Sequence, residues 1–299
     1  MIIAGLLAAI LVAGCAKKGM VPGPSAPVPK VPIVDGHSGA TMSLGYLTRM
    51  AAKADAIFIG EIHNDSLTHV LELALLKDIH RRYPDLAVTM EMFERDVQPM
   101  LDRYLAGKID EPTFLSGSRP WGNYKTDYRP IVEFAREHGL PVIAMNVPRK
   151  YAGQIAMRGP DVFKTFPDSV RPFMAEKLKV LDDEYKVRFL KTMTGDMPHA
   201  MSRMIPDNLY AAQCLKDDTM AESIHAFMKT HPQTKVISYQ GDFHSHYSLG
   251  IVKKLKLLNP SVKTAVISIV PVSDVKQPGF DERKGRGDYI IFVQGEADQ

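Results

Sequence analysis

The chain has 299 residues, 45% hydrophobic and 24% charged, which is enough for one large core or two modest ones. Its formal charge of +3, with no dense Lys/Arg tract, excludes nucleic acid or an anionic membrane surface as a target recognised by charge. Two cysteines, Cys15 and Cys214, allow at most one internal disulfide.

Residues 1–14 read as a signal peptide, because the apolar run at 2–14 is too short to span a bilayer comfortably. Leu11-Val12-Ala13-Gly14-Cys15 resembles the bacterial lipobox, whose cysteine is lipidated and becomes the first mature residue. The departure from that pattern is the lack of positive charge before the apolar core, which an upstream start would supply. Acyl chains (palmitate among them) on Cys15 would anchor the protein by burying methylenes. Ala16 stands where inner-membrane retention uses Asp, so the expected location is the outer membrane, facing the periplasm. Residues 15–40, rich in Pro, Gly and small side chains up to Asp35, read as a lipidated tether.

Beyond the tether, short apolar runs have strand length and turn residues at their bounds: 56–60, 86–92, 141–146, 235–241, 264–270 and 289–293. They are nearly continuous in hydrophobicity, as strands buried on both faces are. Between the first of them, 67–83 has helical spacing with Asn64, Asp65 and Ser66 as possible caps, and 127–139 ends at Gly139 before Pro141. The segments 171–193 and 207–231 read as long amphipathic helices, and no strand pattern occurs between 150 and 230. Cys214, in the second of these, reads as a small buried hydrophobe. The expectation is an α/β fold: a mostly parallel sheet flanked by helices (41–150 and 231–299) with a small inserted helical domain (151–230).

Open parallel sheets bind ligands beyond the carboxyl ends of their strands. Here those ends carry Glu61 and His63, then Glu91, then Asn146 and Arg149, then Asp242, His244 and His246. Glu61 and His63 are two residues apart and in extended backbone point the same way. Each ending alone suits a cap or a surface residue. Together they point to a shared cleft, since carboxylates and imidazoles are costly to bury unless paired or bound. Two readings of that cleft stand. Glu61, His63, Glu91 and His244 would be catalytic in a hydrolase, metal-dependent (a divalent ion activating water) or His-based. Otherwise the cleft binds a ligand without chemistry. Trp121, in Trp-Gly-Asn-Tyr-Lys-Thr-Asp-Tyr, either packs a loop or walls the cleft.

The stretches IFIGEIHNDSLTH, VTMEMFERDVQPMLDRYL, WGNYKTDYRPIVEFAREHGLPVIAMNVPR, YAAQCLKDDTMAESI and YQGDFHSHYSLGI, spread over about 45–255, resemble the ChaN family of haem-binding lipoproteins. That family is more distantly similar to the Tiki and TraB proteases and the erythromycin esterases, which share Gly-Glu-x-His and later Glu and His motifs. The resemblance implies a membrane-tethered, periplasm-facing protein of haem or iron uptake, with cofacial haems in a homodimer and a TonB-dependent haem receptor as a possible partner. It identifies no axial ligand. The segment 193–210 offers His199 and Tyr210 as haem-contact candidates, with Met193, Met197, Met201 and Met204 either lining a flat apolar ligand or packing between helices. Arg149 and Lys150 suit haem propionates or a solvated surface equally. Haem binding is the preferred function, and hydrolysis is the alternative.

Overall fold

The computed structural model describes residues 30–195 and 205–295; Cys15 and His199 lie outside them. The strands are β1 (Ile33–Asp35), β2 (Ala56–Glu61), β3 (Leu86–Glu94), β4 (Val142–Asn146), β5 (Lys235–Gly241), β6 (Thr264–Val272) and β7 (Tyr289–Gln294). The helices are α1 (Leu44–Ala51), α2 (Ser66–Arg82), α3 (Gln98–Leu105), α4 (Glu111–Ser118), α5 (Arg129–His138), α6 (Arg149–Arg158), α7 (Glu184–Gly195), α8 (Pro206–Thr230), α9 (Gly250–Leu258) and α10 (Phe280–Arg283).

The strands form one sheet in the order β1-β7-β6-β2-β5-β3-β4. All pairs are parallel except β1 with β7. The fold is α/β, as the continuous apolar runs required. Alternation along β2 shows why both faces are apolar. Ile57 and Ile59 join Leu71, Leu75 and Ile79 of α2 on one face. Ala56 and Phe58 join Met220 and Ile224 of α8 and Ile251 and Leu255 of α9 on the other. The edge strand β1 carries too few residues to show a pattern, and no signal in the sequence marks it.

Local chemistry sets the helix bounds. Asp65 is the cap that α2 uses: its carboxylate accepts from the Thr68 main-chain N–H at 2.7 Å. Gly139 closes α5 in the left-handed region, φ 66°. In the middle of α6, a Cβ added at Gly153 meets nothing within 4 Å. Gly153→Ala is therefore expected to stabilise the chain by about 0.5–1 kcal/mol, read from the urea midpoint, by lowering the entropy of the unfolded chain.

Among the described residues, 149–230 hold three α-helices and no strand. Their core is Tyr151, Ile155, Met174, Tyr185, Phe189, Tyr210, Cys214 and Leu215. Cys214 is buried and free, as expected, with burial pushing its thiol up to about 12. The segment 171–193 is not one helix. A 3₁₀ stretch spans Asp168–Phe173, 174–183 is irregular, and α7 begins at Glu184. The reason is that α8 claims the intervening amides. Ala175 donates to Thr219 Oγ1 (3.0 Å), Glu176 to the Glu222 carboxylate (3.0 Å) and Lys179 to Asp218 Oδ2 (2.7 Å). Arg95, just beyond β3, ties the same region to the body by donating to Ser223 Oγ (2.7 Å) and the Met174 carbonyl (2.9 Å). Among the described residues no helix is long and apolar enough to cross a membrane.

Candidate functional site

The sheet brings the four polar strand ends together, because β2, β5, β3 and β4 are successive neighbours. Glu61 is the last residue of β2 and its side chain is enclosed, whereas the His63 side chain is 40% exposed. His63 Nδ1 lies 2.6 Å from Glu61 Oε1, and the Tyr128 hydroxyl donates to the same oxygen at 2.7 Å. Asn123 Nδ2 donates to the His63 main-chain oxygen at 2.7 Å, and the Trp121 ring meets the imidazole edge-on with centroids 4.9 Å apart. Burial works against the imidazolium of His63, but the Glu61 and Glu91 carboxylates prevail and raise its pKa.

The ring needs room at Gly241, where a Cβ would stand 2.8 Å from His63 Nε2. The Gly241 main-chain N–H donates to Glu91 Oε2 at 2.9 Å, and Glu91 Oε1 lies 3.3 Å from His244 Nε2. On its other side His244 Nδ1 is 2.6 Å from Asp217 Oδ1, on α8. Gln213 Nε2 stands 3.1 Å from the same ring nitrogen. His244 is thus held between two carboxylates. Burial opposes its charge, yet Glu91 and Asp217 push its pKa up to about 10. Glu91 shows the reciprocal effect. Burial favours its neutral form, and His244 outweighs that and holds it well below the ordinary carboxylate range. Glu91 and Asp217 on either side thus favour the imidazolium form of His244. Beside it, His63 combines exposure with an orienting carboxylate.

Two further groups complete the edge. A Cβ at Gly60 would fall 2.3 Å from Asp242 Oδ1, so β2 and the turn after β5 touch directly. Arg286 Nε donates to Asp242 Oδ2 at 2.8 Å. Burial pushes Asp242 up, but Arg286 and then His246 hold it down at about 2. Beneath Glu61, α2 presents His69 and Glu72, with His69 Nδ1 2.8 Å from Glu72 Oε2. Burial, followed by the neighbouring Glu61 carboxylate, pushes the Glu72 carboxyl well above its ordinary value.

Beside this row lies a cleft of about 560 Å³ lined by Met92, Glu94, Asp96, Arg119, Pro120, Trp121, Gly122, Pro148, Arg149 and Lys150. Arg119 is paired with Glu94 (2.8 Å) and Asp96 (2.5 Å). Arg149 is exposed at the first turn of α6, and its main-chain N–H donates to Glu94 Oε1 at 2.9 Å. The lining mixes apolar side chains (Met92, Pro120, Trp121 and Pro148) with the acids Glu94 and Asp96 and the bases Arg119, Arg149 and Lys150.

The structure therefore gathers Glu61, His63, Glu91 and His244 into one network and sets Arg149 at the rim of the adjoining cleft. Tyr210 requires a correction. It is 1% exposed inside the helical core, and its hydroxyl donates to the Leu181 main-chain oxygen at 2.8 Å. Its ring is taken up in packing against Tyr185 and Phe189, so it is not presented to a surface ligand. Trp121 does both things open to it, packing on Tyr128 and walling the cleft. Asp217 and Glu72 do not stand out in the sequence. Their signal is present all the same: Glu72 and Asp217 fall on the buried faces of α2 and α8, where a lone carboxylate needs a partner.

A family described as haem-binding uptake, Tiki superfamily, ChaN matches residues 47–255. Among solved structures, that of cofacial heme binding to ChaN of Campylobacter jejuni superposes with a TM-score of 0.65 at 17% identity, covering 89% of this chain and 97% of that one. An erythromycin esterase mutant in its open conformation gives a TM-score of 0.47 at 12% identity, covering 76% of this chain and 72% of that one. No curated protein matches the chain in sequence. With more than half its length matched, and the Glu61–His63 and Glu91–His244 pairs inside the matched range, the chain belongs to the ChaN family of haem-binding uptake proteins in the Tiki superfamily.

Proposed function

We propose that this chain binds haem and takes part in haem or iron uptake. The observation that carries the reading is the family match across 47–255, which spans the cleft and the strand-end network. The cleft supports it chemically. Trp121, Met92 and Pro148 offer apolar area, and Arg149 and Lys150 offer charge for propionates. Bound haem would supply iron open to a protein ligand, and His199, between α7 and α8 in the sequence, is a candidate contact. Acylation of Cys15 would tether the body to the outer membrane on its periplasmic side. There the chain would pair with a second copy over haem and exchange haem with a TonB-dependent receptor; the Campylobacter structure describes cofacial haem binding. Hydrolysis is the alternative, and it would rest on His63, the exposed imidazole oriented by Glu61.

Titration of the purified chain with haem, read by Soret absorbance and sedimentation, tests the reading. A saturable Soret shift with dimer formation is expected. His199→Ala is expected to change the position of the band. Arg149→Ala is expected to weaken affinity about tenfold, the loss of one charge-assisted hydrogen bond. A Soret response no different from that of free haem would sink the proposal.

A further inference from the structure

His69 and Glu72 sit on the buried face of α2, directly beneath Glu61, and take no part in the haem reading. The hydrogen bonds around His69 constrain its chemistry. Its Nε2 faces the His63 main-chain oxygen at 3.2 Å and Asp127 Oδ2 at 3.6 Å. A carbonyl and a carboxylate only accept, so Nε2 carries a hydrogen. A neutral ring then turns the bare lone pair of Nδ1 toward Glu72 Oε2, 2.8 Å away. Two acceptors at that distance need a proton on one of them or a metal ion between them.

Two more atoms make the same demand. Glu61 Oε2 and Glu72 Oε1 are both buried without a hydrogen-bond partner, on side chains that are fully enclosed. Two carboxylates packed this way are costly unless a shared proton or one cation serves both. One donor atom from each of Glu61, His69 and Glu72 lies within 4.8 Å of the others. Metal–ligand bonds of about 2.0–2.2 Å to imidazole and carboxylate require only small side-chain rotations from that spacing. The surroundings are those of a metal site. Nε2–H donates outward to a carbonyl, fixing the tautomer that leaves Nδ1 free to ligate. The Tyr128 hydroxyl donates to the remaining Glu61 oxygen, and the Tyr239 hydroxyl donates to the Glu72 main-chain oxygen at 3.3 Å.

We infer that Glu61, His69 and Glu72 form a binding site for a divalent first-row transition ion. The donors are two oxygens and one nitrogen with no sulfur, a set that suits Zn²⁺, Mn²⁺ or Fe²⁺. The two carboxylate charges balance the ion. Glu61 would then serve two sites at once, one oxygen on the ion and the other on His63 Nδ1. The ion would thus hold the exposed imidazole in place at the cleft. The inference is independent of haem and stands or falls separately from it.

The test uses the full chain, stripped with chelator, loaded with Zn²⁺, desalted and assayed for metal. About one Zn²⁺ per chain is expected, falling at least about tenfold in Glu72→Gln. Zinc below about a tenth per chain, or equal loading of Glu72→Gln, would overturn the inference and leave a shared proton as the charge that the cluster holds. Should Glu72→Gln fail to fold, Co²⁺ replaces Zn²⁺ in the unaltered chain. Paramagnetic shifts at the His69 and Tyr128 rings are then expected. Unshifted His69 resonances would overturn the inference.

Discussion

Between pH 6.5 and pH 10 the folded chain is expected to lose about 3–5 kcal/mol of stability, most of it at His244. The folded-state pKa of this residue is raised to about 10 from an ordinary 6.5, because Glu91 and Asp217 stabilise the imidazolium. A group whose pKa is higher when folded binds its proton more tightly in the native state. Its contribution is complete below 6.5 and is withdrawn as pH climbs to about 10. His63, also raised, works in the same direction. Urea midpoints measured at both ends of this window check the expectation, and His244→Asn should flatten the slope. A midpoint that holds constant across the window in the unaltered chain would mean that the row is not charged as described.

Gly60→Ala is expected to cost about 3 kcal/mol. The added Cβ would stand 2.3 Å from Asp242 Oδ1 and 2.8 Å from Asp242 Cα. The second of these is main chain and cannot swing aside, and the carboxylate is held by Arg286 at 2.8 Å. Relief requires β2 to part from the turn after β5, and that turn carries His244. The urea midpoint of this variant, set beside that of Gly153→Ala, reads two glycine-to-alanine changes of opposite sign. A loss under about 1 kcal/mol at Gly60 would show that the sheet edge yields more easily than its contacts indicate.

The parts of the fold that repeat are the legible parts. Six strands appear where the apolar runs lie, because a doubly covered strand has no polar face to interrupt the run. The strand-end carboxylates and imidazoles are legible for the same reason, since each stands out against the apolar run before it. Asp217 and Glu72 are not, because amphipathic helices such as α8 and α2 are expected to carry acids. Only the phase of the helix shows that these two face inward. The π-helical turn at Tyr124–Tyr128 is hidden as well. It aims Asp127 at His69 and Tyr128 at Glu61, and no local pattern marks one extra residue in a turn. The stretch 174–183 misleads because its amides bond to side chains of α8 some forty residues later in the chain. Tyr210 misleads because a tyrosine near methionines reads alike whether it lines a ligand or fills a core.

The antiparallel strand β1 bears on how the molecule would be presented. It runs against the other six strands, so Ile33, paired with Ile291, lies toward the edge where β2, β3, β4 and β5 end. The polypeptide therefore enters the body on the side that bears His63 and the cleft. The stretch between Cys15 and Ile33, even fully extended, spans no more than about 65 Å. An acyl anchor at Cys15 would leash the ligand-bearing side to the bilayer and leave the opposite side, where the strands begin, pointing away. A hydrophobic cargo would then pass between lipid and protein over the short direction, and a partner approaching through the periplasm would meet the back of the sheet first.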